Sequence, residues 1–432
     1  MLRARSLRQT FGFMRGNIRI LTVNQVLGQF GRALAFPYAS LYILSLGGTP
    51  AQIGLITALM PLAGLLVFPI AGYLTDRAGR VKLIGLTGLV SGALYVVYAL
   101  APDWRWLAVM AILQGLMVVQ FPPSSALIAD SPAPQDRGRG IATMNMLSSG
   151  PALLAPYVAG TLLDRAGVAV GMRTLYGALA AVYLLGAAIN LRYLHETAPG
   201  DTAPIGLPDI PAVLRSAYGG LPRLLRGLSA PLRALTLVVL LGFLANALAV
   251  PFWVVYAVEH KGLSQGEWGL ILLVETAILT ILGLPAGLLV DRVGRRRCML
   301  AGLALALVTM PLFVWVQGFA PLLAVRASLA VSAALFTPAC SALMADLTPR
   351  ATRGQLMAAL GRGSVMLGAA SGGTGGPGMG FVLTVPIMIA SLSSGFLYAA
   401  EPALPWYASS LAVLLALALT LLFIRDPHAA EA

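Results

Sequence analysis

Gln25, Gln29 and Arg32 stand four and three residues apart in an otherwise apolar run, so a helix puts all three on one face. Asn246 lies in a similar run ahead of Trp253 and Tyr256, and two further runs hold Glu275 and Arg326. Amide, guanidinium and carboxylate groups in such surroundings either bond one another or face water. An ionisable group at mid-bilayer costs about 2.5–3.5 kcal/mol on insertion scales. Groups of this kind recognise a polar solute, and a carboxyl held away from water, as at Glu275, can exchange a proton near neutral pH. The alternatives are that Gln25 and Gln29 bond neighbouring helices and that Glu275 forms a static ion pair with Arg32 or Arg326. No catalytic or metal grouping accompanies them. His195, His260 and His428 fall in loops or the tail, Cys298 and Cys340 are far apart and read as packing, and the glycines of 371–380 lack the Lys-Ser/Thr of a phosphate loop. The expectation is no enzyme, no cofactor and no metal.

The runs that carry these groups exclude a water-soluble domain. Of 432 residues, 58% are hydrophobic and 10% charged, with a mean hydropathy of +0.84. Soluble domains average about 45–50% and about 25%. Long apolar runs without period-2 alternation cross a bilayer as helices. They fall at about 18–44, 51–75, 81–101, 104–130, 138–163, 171–192, 233–258, 265–290, 298–317, 320–346, 381–400 and 405–425. The first is too long for a signal-peptide core and lacks an early cleavage site, so it is read as a retained span. With the N-terminus inside and each span reversing the chain, 22 Lys and Arg lie inside and 4 outside, the bias of cytoplasmic loops. The net charge of +13 follows from those loops and not from nucleic-acid binding. Leucines and arginines interleave in the hydrophilic stretch 193–232, which fits a helix on the inner leaflet; a plain linker is the other reading.

The second half of the chain repeats the first. Ala71-Gly-Tyr-Leu-Thr-Asp76-Arg77-Ala-Gly79-Arg80 returns as Ala286-Gly-Leu-Leu-Val-Asp291-Arg292-Val-Gly294-Arg295, 215 residues on. Ser125–Asp130 returns as Ser341–Asp346 and Arg137-Gly138 as Arg353-Gly354, both 216 on, and Arg32–Tyr38 returns as Asn246–Phe252, 214 on. Thr49-Pro-Ala-Gln52 and Ser264-Gln-Gly-Glu267 both read as capping boxes. Each half is then six helices entering in the same sense, an arrangement that places a site between the halves near the midplane. The plan is a first half over 1–192, a linker over 193–232 and a second half over 233–432, with a glycine-rich insertion at about 360–380. Span 11 is assigned to 381–400, and 354–371 to a re-entrant or interfacial segment on the cytoplasmic side.

Gly72-x-Leu-x-Asp-Arg-x-Gly-Arg80 resembles the signature loop of the major facilitator superfamily. With its echo, the twelve spans and the half-length repeat, the chain resembles that family over nearly its whole length. The resemblance implies an all-α membrane protein of twelve transmembrane helices in two six-helix repeats, with spans 1, 4, 7 and 10 lining a central cavity. Gln25, Gln29, Arg32, Asn246, Trp253 and Arg326 are the expected substrate-binding residues and Glu275 the proton-coupling one. The resemblance also implies a conformational latch that closes the cytoplasmic side. In it Gly72 and Gly287 let helices approach, Asp76 and Asp291 face the N-termini of spans 11 and 5 in the opposite half, and Arg80 and Arg295 pair with Asp130 and Asp346. A second pattern, of drug–proton exporters, is fragmentary. Gly150-Pro151 is present, Leu154 and Ala155 replace a glycine pair, and Ala111 stands where an arginine would precede Gln114-Gly115; the second-half equivalent of that place is Arg326.

The sequence therefore predicts a monomeric secondary transporter of the inner or plasma membrane, with both termini cytoplasmic. It would work by alternating access as a proton-coupled exporter of small organic compounds. Its partners would be a small solute, protons or Na+, and the bilayer, with no nucleic acid. The rivals are a proton-coupled importer or facilitator of an organic anion or sugar, and a receptor or scaffold that keeps the fold without transport. If Arg32 and Arg326 both faced the cavity, two cations against one acid would favour anionic or zwitterionic solutes.

Overall fold

The computed structural model describes residues 15–75, 79–197, 215, 218–219, 225–350, 353–361, 363–368 and 380–426. Helices form nearly all of it. The first half holds α1 (Asn17–Ala35) and α2 (Ala39–Ser45), α3 (Pro50–Thr75), α4 (Arg80–Leu100), α5 (Trp104–Leu116) and α6 (Phe121–Asp130), α7 (Arg137–Ala166) and α8 (Val168–Tyr193). The second holds α9 (Ala230–Ala249) and α10 (Trp253–Glu259), α11 (Gln265–Val293), α12 (Arg295–Trp315), α13 (Phe319–Leu347), α14 (Arg353–Leu360), α15 (Phe381–Ala400) and α16 (Leu404–Phe423). Eleven of the resulting rods are long and apolar enough to cross a membrane. The rod of α1 and α2, which carries Gln25, Gln29 and Arg32, is the more polar twelfth.

The repeat has a local physical basis. Pro37 and Pro251, at matched places, each remove a backbone donor, and in both halves the rod tightens there into a single 3-10 turn, Phe36–Tyr38 and Val250–Phe252. The capping box at Ser264 is complete, with both reciprocal bonds present. Most of the linker lies outside the described residues, and with it the expected inner-leaflet helix. Tyr218 is described: its hydroxyl donates to Leu65 O of α3 at 2.6 Å, and burial raises its pKa.

In the first half α4 packs on α8, and α1 on α7 and α8; in the second α12 packs on α13 and α16, and α9 on α15 and α16. The halves meet along two crossings, α3 with α15 and α7 with α11. Both are tight at the end opposite the Arg-rich loops. A Cβ on Gly54 would come 2.7 Å from Ser391 O, and one on Gly395 2.6 Å from Pro50 O. Gly160 and Gly269 do the same at the other crossing, against Gln265 O and Pro156 O. At the basic end α7 and α11 stand apart: Gly138 and Gly150 of α7 and Gly283 and Gly287 of α11 have nothing within 4 Å of a Cβ position. Met146 is 79% exposed and Leu284 76%.

Candidate functional site

The stripe on α1 is held by its own half. Arg32 Nη1 donates to the Tyr183 hydroxyl of α8 at 2.6 Å, and Nη2 to Gln29 Oε1 at 2.9 Å. Gln25 Nε2 donates to Asn145 Oδ1 of α7 at 3.1 Å. Tyr183 in turn sits edge-on to Tyr95, with centroids 5.0 Å apart, and the aromatic packing continues through Tyr98 and Tyr176 to Tyr42. This rigid body fixes the guanidinium while leaving Gln29 exposed and Arg32 half-buried. Among the described residues no carboxylate forms a salt bridge with Arg32.

Glu275 of α11 and Arg326 of α13 form a buried ion pair. Arg326 donates to Glu275 Oε2 through Nε, at 3.2 Å, and through Nη2. The guanidinium lies 4.3 Å over the Trp253 ring and 5.9 Å from that of Trp268. Its Nη1 has no hydrogen-bond partner among the described residues; the ring faces offset part of that cost through cation–π attraction. Of the two arginines expected for Glu275, Arg326 is the one beside it. Arg326 and Trp253 are fully buried, so neither offers surface to a solute in this conformer.

Asn246 is occupied by the insertion. Its Nδ2 donates to Met366 O at 2.7 Å, and its Oδ1 accepts from Gly368 N at 2.9 Å. Thr337 of α13 donates to Val365 O at 2.6 Å. Segment 363–368 thus lies between α9 and α13, with Val365 and Leu367 buried and Met366 half-exposed. Gly361, Gly363 and Gly368 take positive φ, which turns the chain in and out of this slot. Gly380 returns beside Ala359 and Gly361, so α14 and α15 together replace the unbroken α7 of the first half.

Of the expected latch, Arg80 pairs with Asp130 at 2.5 Å and also reaches Thr197 at 3.0 Å, and Arg295 pairs with Asp346. Asp76 and the surroundings of Gly72 lie outside the described residues. Asp291 is exposed, and the N-terminus of α7, where its partner is expected, has no side-chain cap. At the other end Asp164 accepts from Gln265 N and Gly266 N at 2.8 and 2.9 Å. The Tyr38 hydroxyl donates to Pro156 O at 2.7 Å, with Gln265 O 3.0 Å away.

Two further caps escape a reading by motif. Glu196 accepts from Val81 N at 3.0 Å and Asp426 from Arg296 N at 2.8 Å, so each half ends by capping its own third helix. Their signal is modest: each is the first acid after the last helix of its half. Beyond the end of α10, Lys261 donates to Val314 O at 2.6 Å, and burial lowers its pKa.

The model of the Major Facilitator Superfamily matches residues 21–233 and 235–432. Among similar proteins, a multi-drug resistance efflux pump PmrA homolog of Lactococcus lactis is 31% identical over 169 residues, which is 38% of this chain and 40% of that protein. Multidrug resistance protein MdtG of Serratia proteamaculans is 28% identical over 170 residues, again 38% and 40%. These matches span about two fifths of each relative's length. Among solved structures, nucleoside transporter NupG superposes with a TM-score of 0.70 at 11% identity, covering 95% of this chain and 100% of that one. An inward-facing, unoccupied bacterial homologue of the lysosomal transporter Spinster gives 0.68 at 16%, covering 99% and 100%. With twelve rods in two repeats and the family model matched across both, the chain belongs to the Major Facilitator Superfamily, a family of multi-pass membrane transporters.

Proposed function

We propose that the chain exports small organic compounds across the cell membrane by alternating access, driven by protons that Glu275 carries. The observation that supports this reading is the contrast between the two ends: tight crossings at one, open faces of α7 and α11 at the other. The basic end faces the cytoplasm on the charge bias, so this conformer opens inward. Gln25, Gln29 and Arg32 meet the solute at the seam. Arg32, which has no acid partner among the described residues, favours solutes that carry an anionic group, including zwitterions. Protonating Glu275 cancels its charge and leaves Arg326 unpaired in a dry site, so proton binding is linked to how α11 packs on α13. Export, rather than import, draws on the names of the similar efflux pumps.

Purified protein in liposomes tests this with a pH gradient and a panel of organic cations, anions and zwitterions. At least one solute should move uphill, and Glu275→Gln should abolish the uphill component. Undiminished pH-driven accumulation in Glu275→Gln removes Glu275 from the coupling. No driven flux of any compound by the wild type removes proton-driven export. An Arg32 held by neutral groups also fits a facilitator of organic anions, which would show downhill flux of an anion indifferent to the pH gradient.

A further inference from the structure

The loop motif occurs a third time, at the opposite end of the bundle. Ala159-Gly160-Thr161-Leu162-Leu163-Asp164-Arg165-Ala166-Gly167 matches Ala71–Gly79 and Ala286–Gly294 position by position in its Ala-Gly-x-Leu-x-Asp-Arg-x-Gly frame. All three copies end on a glycine with positive φ, of 78° at Gly79, 77° at Gly167 and 105° at Gly294. Each glycine joins one rod to the next: α3 to α4, α7 to α8 and α11 to α12. The final arginine of the two basic-end copies, Arg80 and Arg295, is Val168 in the third. The carboxylate and the close-packing glycine are retained; the arginine that pairs within its own half is not.

In this conformer the third copy is engaged across the seam. The Asp164 carboxylate takes the first two free N–H groups of α11, at Gln265 and Gly266, while Ser264 takes the third, at Glu267. The first-turn donors of α11 thus meet one charged and one neutral acceptor, and the positive end of the helix faces a negative charge from the other half. The related crossing lacks both parts. In the frame of the motif Gly395 is followed by Ala399 where Asp would stand, and Gln265 corresponds to Pro50, which has no N–H to give. Donor and acceptor are missing together, so among the described residues a polar latch at this end is found at the α7–α11 crossing.

At the basic end of the same two helices the parts are reversed. Asp291 lies near the C-terminus of α11, and the uncapped N-terminus of α7 belongs to the other half. We infer that Asp164 supplies the opposite-end counterpart of the latch that the family resemblance implies for Asp291: Asp164 holds the N-terminus of α11 in the inward-open conformer, as Asp291 holds the N-terminus of α7 in the outward-open one. Opening either end breaks one carboxylate–helix contact as the rocking of the halves brings the other together. Two conformers that each keep one such contact differ less in free energy than two of which only one is held. Asp164 is a positioning residue for the transport cycle, distinct from the groups that meet the solute.

The inference rests on the alternating-access reading, and its test separates the two. Spin labels on cysteines at Val170 and Trp315 report the separation of the halves at the sealed end, and labels at Tyr193 and Phe423 report it at the basic end; all four side chains are exposed, and native Cys298 and Cys340 are buried. Distances are read by electron–electron double resonance in nanodiscs. Asp164→Asn should raise the ratio of outward-open to inward-open molecules by roughly tenfold, and Asp291→Asn should lower it. Gln265→Pro deletes one donor at a helix position that suits proline and should act in the direction of Asp164→Asn, by a smaller factor. It keeps the test intact if the Asp164 variant folds poorly. A merely structural role would lower thermal stability in these variants and leave the ratio unchanged. Shifts of the same sign in Asp164→Asn and Asp291→Asn, or none in either while the wild type populates both conformers, overturn the latch alone. A wild type held in one conformer at every pH overturns alternating access and the latch with it.

Discussion

Arg326 and Glu275 are each nearly enclosed by protein, while Arg80 and Asp130 keep 14% and 44% of their side chains exposed. The two ion pairs are therefore expected to behave differently when broken. Breaking a buried pair leaves an uncompensated charge and costs about 3–5 kcal/mol, whereas an exposed pair contributes about 0–1 kcal/mol. Arg326→Met should lower the thermal midpoint of the purified protein by many degrees, and adding Glu275→Gln should restore most of the loss. Asp130→Asn should leave the midpoint nearly unchanged. Equal losses from Arg326→Met and Asp130→Asn would contradict the burial argument. The same contrast separates Arg32 from Arg326. Arg32 is tied by neutral partners, a tyrosine hydroxyl and an amide. Arg326 is already neutralised by its acid.

At the scale of elements the insertion shows where reading by pattern stops. Its place in the chain follows from counting, because the repeat offset jumps between Arg353 and Pro386. Its path does not, because the bonds that hold 363–368 come from Asn246 and Thr337, 120 and 28 residues away from their acceptors. Asn246, expected to meet substrate, has both ends of its amide engaged by this segment. Asn246→Ala leaves Met366 O and Gly368 N unpaired, at a cost of about 1–3 kcal/mol if they stay dry. The Gly368 amide should then exchange hydrogen faster by at least tenfold, while amides in α4 and α8 keep their protection. Unchanged exchange at Gly368 would mean that the segment is held by its apolar contacts alone.

For the whole molecule, the parity of the spans decides what faces the cell interior. Gly368 bonds Asn246 of α9 and Gly380 lies beside Ala359; a chain that makes no crossing between them is expected to keep both termini on the cytoplasmic side. A C-terminal alkaline phosphatase fusion should be inactive in intact cells and a fluorescent fusion bright; an active phosphatase would require a thirteenth crossing. Twelve rods, their order and the twofold repeat were legible in the residues themselves. Lipid demands apolar runs long enough to satisfy every backbone group within one helix, and a duplicated chain keeps prolines, capping boxes and loop motifs at a fixed offset. Arg80 and Arg295 could likewise be matched with Asp130 and Asp346, because each pair lies within one half and follows the repeat. Only the tertiary structure decided that Glu275 lies against Arg326 and not Arg32, that Asn246 is bound by a backbone segment, and that Asp164 reaches the first turn of α11. These contacts join helices far apart in the chain, and their partners are set by which rods touch and how deeply, quantities that apolar periodicity leaves undetermined.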